Sequence, residues 1–141
     1  MANKYEVVAL DIFGTVLSST DADNEMPPRR GINEFLENCN KKNIYVVGAS
    51  DANPTTTKRL LSETGVLVDL INRFYQLNQL PIKDFSIILR DMGVKHSNNL
   101  LVIRDNYDKD IMGAVEYGCS FLQVPEYRDN LDDFDFRKIK I

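Results

Sequence analysis

The chain has 141 residues, 43% of them hydrophobic and 27% charged, with a formal net charge of −4. That length suits one domain with a real core. The acidic balance excludes a general nucleic-acid binder, because phosphate contacts require a basic surface. Basic pairs such as Arg29-Arg30 and Lys41-Lys42 lack flanking aromatic residues suited to base stacking. The two cysteines, Cys39 and Cys119, form no CxxC pair, which argues against a zinc site and for core packing. Met1 to Glu6 has no apolar signal character, and no apolar run reaches membrane-spanning length. The expected location is the cytoplasm, with reduced thiols.

In chain order, Tyr5 to Ile12 reads as a buried strand that delivers Asp11 to a turn at Gly14-Thr15. Ser18 to Pro28 is a polar loop. Arg30 to Lys42 carries Ile32, Phe35, Leu36 and Cys39 at spacings of three and four, the pattern of an amphipathic helix. Ile44 to Ala49 is a second buried strand and ends at Ser50-Asp51. Pro54 opens a helix that Gly65 stops near Thr64. Val66 to Leu80 is ambiguous, with Arg73 to Gln76 a candidate short strand.

Phe85 to Met92 has helical periodicity and stops at Gly93. Asn99 to Arg104 is a third buried strand, delivering Asp105, and Asp110 to Tyr117 reads as a helix ended by Gly118. Ser120 to Val124 is a further strand, stopped by Pro125. The tail from Glu126 to Ile141 reads as a final turn or helix. His96, the lone histidine, lies in a polar turn and is expected at the surface. Alternating strands and helices imply parallel strands with right-handed crossovers, hence a three-layer αβα sandwich. Three strands end in polar clusters, at Asp11, Ser50-Asp51 and Asp105 to Asp110. Parallel strands place such ends on one edge, where α/β sheets bind ligands. An acid there, beside a Gly-Thr turn, is a candidate nucleophile or metal ligand.

These residues carry a resemblance. The apolar strand into Asp11-Ile12-Phe13-Gly14-Thr15-Val16 resembles the first motif, D-x-D-G-T-h, of the haloacid dehalogenase (HAD) superfamily of phosphohydrolases. The strand into Ser50 resembles the second motif. Val102 to Gly118, with Asp105-Asn106, Asp110-Ile111 and Gly113-Ala114, is similar to the fourth, h-h-G-D-N-x-x-x-D-I-x-G-A-x-x-A-G. The similarity runs from Glu6 to Val124 and implies an α/β, Rossmann-like HAD fold formed by a single domain with no substantial cap.

The resemblance implies an Mg²⁺-dependent phosphohydrolase in which Asp11 attacks phosphorus to form an aspartyl-phosphate. Asp11, the Phe13 carbonyl and Asp105 would hold the metal, with Asp110 behind them orienting metal-bound water or the lysine. Ser50 would bind a phosphate oxygen, and Gly14 and Thr15 would add backbone N–H donors. Lys83, after Pro81, matches the third-motif lysine; Lys58 is the reserve. A capless member would take a phosphorylated and often macromolecular substrate, or rely on a partner subunit to exclude water.

Two departures weigh on that reading. Phe13 stands where the family's phosphatases carry a second Asp that moves protons, a contribution typically worth about 10²–10⁴ in rate. Arg104 replaces a small residue beside Asp105, where it would compete with a cation or bind phosphate. Dehalogenases also carry an aromatic residue at the first of these positions. They require an inserted cap, however, and the interval between Asp11 and Ser50 leaves no room for one. The alternative function is a catalytically degenerate HAD-fold binding or regulatory module. A phosphorylatable receiver-like domain fits less well, because it carries an acidic pair on the first strand and its phosphoacceptor on a later central strand, whereas here the first strand carries a lone Asp11 followed by Gly-Thr.

Overall fold

Strand β1 (Val7–Leu10) is the middle of a five-stranded sheet in the computed structural model, which describes residues 4–19, 26–105 and 107–141. Beside it lie β2 (Tyr45–Ser50) and β4 (Leu100–Arg104), and β3 (Arg73–Gln76) and β5 (Ser120–Gln123) form the edges. The order is β3-β2-β1-β4-β5 and every pairing is parallel. This is an α/β sandwich of the expected Rossmann-like type.

The unbroken apolar run of β1 exists because both of its faces are covered. Val8 and Leu10 enter one core with Ile32, Phe35, Leu36 and Cys39 of helix α1 (Ile32–Lys41), and with Leu61 of α2 (Pro54–Glu63). Val7 and Ala9 enter a second core. Ile88 of α3 (Ser86–Asp91) and Ala114 of α4 (Met112–Glu116) cover that opposite face. The alternation of residues along one strand thus separates the two helical layers. His96 is exposed and both cysteines are buried and free, as expected.

Several boundaries differ from expectation. β1 stops at Leu10, because the Ile12 carbonyl accepts from the amides of Thr15, Val16 and Leu17 at 3.2, 2.8 and 2.9 Å and curls the chain. β2 extends through Ser50. The Arg73–Gln76 segment is a strand, preceded by a 3₁₀ turn at Val68–Leu70. Asn53, not singled out beforehand, caps α2 by accepting from the amides of Thr55 and Thr56. The helix expected from Asp110 begins earlier, as a π turn over Tyr107–Ile111 that runs into α4.

The tail is mostly a strap, with one 3₁₀ turn at Phe136–Lys138. Buried Arg29 ties it down: it pairs with Asp132 at 2.7 Å and stacks 4.5 Å from the Phe134 ring centroid. Phe136 packs 5.5 Å from Phe35 of α1. Positions 20–25 of the expected Ser18–Pro28 loop, and Asn106 of the fourth motif, lie outside the described residues. Among the described residues no helix is long and apolar enough to cross a membrane.

Candidate active site

The register of β1 and β4 decides the site. Leu10 is paired with Ile103, and the Asp11 amide donates to the Ile103 carbonyl at 3.1 Å. Asp11 and Arg104 are therefore the next rung, and their side chains leave the sheet on the same face. Arg104 Nη1 donates to Asp11 Oδ1, and its Nε pairs with Asp110 Oδ2. The other Asp110 oxygen takes Lys83 Nζ at 2.9 Å. One chain of ion pairs, Asp11–Arg104–Asp110–Lys83, crosses the carboxyl edge of the sheet, and all four residues are buried.

Lys83 reaches this chain because its loop lies against α4. Its amide donates to the Lys109 carbonyl at 3.0 Å, and Gly113 leaves room for its backbone: a Cβ there would sit 2.7 Å from the Lys83 carbonyl oxygen. Lys58, the reserve lysine, is exposed on α2. The Thr15 hydroxyl lies 2.8 Å from Asp11 Oδ2 and 3.2 Å from Asp105 Oδ1, so the two carboxylates face each other across it. Gly14 has φ +88°, and a Cβ there would stand 2.7 Å from Asp105 Oδ2. The turn must be glycine both for its backbone and for this approach.

The remaining expected residues are placed less openly. The amides of Gly14 and Thr15 are already donated within the turn, to the Leu17 carbonyl at 2.7 Å and the Ile12 carbonyl at 3.2 Å. Ser50 is buried at the end of β2, and its hydroxyl oxygen accepts from the Ala52 amide at 3.1 Å. Phe13 packs against the hydrophobic core rather than among the carboxylates. Above the buried chain, Lys109 pairs with Asp51 at 3.2 Å, joining the loop after β2 to the π turn after β4. Sequence reasoning set Arg104 against a cation or on a phosphate, whereas it pairs with Asp11 and Asp110, and the Lys109–Asp51 pair was missed altogether. The in-register neighbour of Asp11 was the available signal for Arg104.

Dehydration dominates the site's electrostatics. Burial pushes the Asp11 carboxyl up to about 7, against the pull of Arg104 and then Lys83. Burial likewise raises Asp110, with Arg104 and Lys83 opposing. Lys83 is lowered by burial first and by repulsion from Arg104 second, which outweigh Asp110.

Mg²⁺ fits only part of this arrangement. Asp11 and Asp105 face each other as two ligands should, but Asp11 already holds a guanidinium, a permanent cation. Phe13 brings no carboxylate, and among the described residues no group of three or more His, Cys, Asp or Glu is arranged to hold a metal. The residues present do not fit a divalent ion.

No protein-family model and no curated protein sequence matches the chain. Solved structures do. A Had-superfamily hydrolase from Ehrlichia chaffeensis superposes with a TM-score of 0.66 at 12% identity, over 84% of this chain and 87% of that one. A predicted phosphoglycolate phosphatase from Haemophilus somnus gives 0.65 at 12% identity, over 91% and 89%. The phosphatase-domain-containing N-terminal part of a Bacteroides fragilis protein, complexed with Mg, gives 0.66 at 18% identity, over 87% of this chain and 37% of that one. The fold is therefore HAD-like.

Proposed function

We propose that this chain is a catalytically degenerate HAD-fold protein, a binding or regulatory module rather than an efficient phosphohydrolase. The observation that carries this reading is the Arg104 guanidinium joining Asp11 to Asp110. A carboxylate nucleophile needs a free attacking oxygen, and here Asp11 Oδ1 holds a fixed cation while Oδ2 accepts from the Thr15 hydroxyl. Phe13 compounds the problem, since no group at that position protonates a leaving group; losing that role typically removes about 10²–10⁴ in rate, or roughly 3–5 kcal/mol of barrier. A single capless domain in the reducing cytoplasm belongs to the same reading.

A second reading keeps some chemistry. Thr15 lies between Asp11 and Asp105, and Lys83 pairs with Asp110 at the same edge, which supports this reading. On this reading Arg104 leaves Asp11. Asp11, the Phe13 carbonyl and Asp105 would be the groups to hold Mg²⁺, which would supply screening between the carboxylate and an anionic phosphate. Ser50 donates to a phosphate oxygen, and Asp11 slowly accepts a phosphoryl group from a good leaving group. The substrate would be a phosphorylated macromolecule, or one enclosed by a partner subunit.

Turnover of para-nitrophenyl phosphate with Mg²⁺ separates the two readings, because its leaving group needs little acid assistance. The expected result is the same background rate for the wild type and Asp11→Asn. Turnover that disappears in Asp11→Asn overturns the degenerate reading and establishes the second.

A further inference from the structure

We propose that the Arg104 guanidinium stands in for a divalent cation at this sheet edge, so that the native site is metal-free and excludes Mg²⁺. Position, charge and permanence point the same way. The register of β1 and β4 sends Arg104 out of the sheet beside Asp11, and it bonds the carboxylates of both Asp11 and Asp110. It is buried and fixed at both carboxylates, so it does not act as a swinging surface side chain.

Without a metal the formal charges come within one unit of balance. Asp11, Asp105 and Asp110 face Lys83 and Arg104, three negative against two positive, and Asp51 is matched by Lys109. Relative to the D-x-D-G-T and h-h-G-D patterns that the sequence resembles, Phe13 removes one negative charge and Arg104 adds one positive charge. The sum is the charge of a magnesium ion. Arginine also suits the role better than lysine. It stays protonated when buried, and its planar fork meets two carboxylates at once. Burial does lower the neighbouring Lys83. A second cation entering beside Arg104 would meet like-charge repulsion with no water between them.

The test is Mn²⁺ binding, followed by electron paramagnetic resonance, with Mg²⁺ as competitor. The wild type is expected to show no saturable binding up to millimolar concentration. Arg104→Gly, confirmed as folded by circular dichroism, is expected to bind at least about tenfold more tightly, the effect of removing a unit charge about 5 Å from a divalent ion even at the dielectric of water. Asp105→Asn in that background should abolish the gain. Arg104→Lys, which keeps the charge, should remain without binding.

Saturable wild-type binding that Asp105→Asn removes overturns the proposal, whether or not Arg104→Gly folds. So does a folded Arg104→Gly that binds no better than the wild type. The inference stands apart from the functional reading. Metal-free, Asp11-dependent turnover would defeat that reading and leave this one intact, whereas Mn²⁺ binding without turnover would do the reverse.

Discussion

Asp11→Asn should change how stability responds to pH. In the folded protein burial raises the Asp11 carboxyl from its ordinary 3.8 to about 7. Between those values the folded state holds a proton on Asp11 that the unfolded state has released. By linkage, stability then falls as pH rises through the window, and it levels off above about 7. A difference of that size corresponds to roughly 4 kcal/mol. Below pH 4 the protonated acid and the amide are near-isosteres, so the variant and the wild type should be similarly stable. Above pH 7 the variant should be the more stable by roughly 4 kcal/mol. Asp110, also raised by burial, shares Arg104 with Asp11, so the midpoint difference reports the coupled pair. The assay is urea unfolding at intervals from pH 4 to 8. With a slope of about 2 kcal/mol/M, the two midpoints should separate by roughly 2 M across the range. Parallel midpoint curves would show that Arg104 and Lys83 fully offset the dehydration of Asp11, and the reasoning would fail.

Three further outcomes follow from the same geometry. Arg104→Met strands two buried carboxylates and should cost about 3–5 kcal/mol at pH 8. The loss should be smaller at pH 5, where Asp11, raised to about 7, takes up a proton, and urea unfolding at the two pH values checks this. Gly14→Ala places a Cβ 2.7 Å from Asp105 Oδ2 at φ +88°. It should cost about 1–3 kcal/mol, seen as a lowered thermal midpoint. Phe13→Asp alone should not create phosphate release from ordinary monoesters, because Arg104 still holds Asp11. Phe13→Asp combined with Arg104→Gly and Mg²⁺ should create it, and release by Phe13→Asp alone would contradict the reading of Arg104.

The sheet was legible because burial on both faces leaves a plain mark. Val7 to Leu10, Tyr45 to Ser50 and Leu100 to Arg104 are apolar runs ending in polar residues, and all three are parallel central strands. The edge strand Arg73–Gln76 was faint, since its residues are only half-buried or exposed and its pattern is correspondingly weak. The π turn was not legible, because periodicity reports which face is buried and not how wide a turn is. Lys83 was visible only by its place after Pro81; its burial against Asp110 depends on Gly113 leaving space from another helix. The pairing of Arg104 with Asp11 is a matter of register between strands more than ninety residues apart, and no local pattern encodes it.

The two departures noticed in the sequence, Phe13 and Arg104, become one change once register is known. An acid at position 13 would add a carboxylate to an edge that already carries Asp11, Asp105 and Asp110, and a multivalent cation would then be needed to hold the four together. With Phe13 packed against the core instead, three carboxylates remain, and two monovalent cations offset all but one of their charges. Either substitution alone would leave an imbalance. An acid at position 13 beside Arg104 would give Arg104 another carboxylate to bind, whereas Phe13 with a small residue at position 104 would leave Asp11 buried without its cation. On the proposed reading, the pair keeps this edge folded without a proton carrier at position 13 and without a place for a metal. That combination is what the proposed metal-free, non-hydrolytic reading of this edge requires.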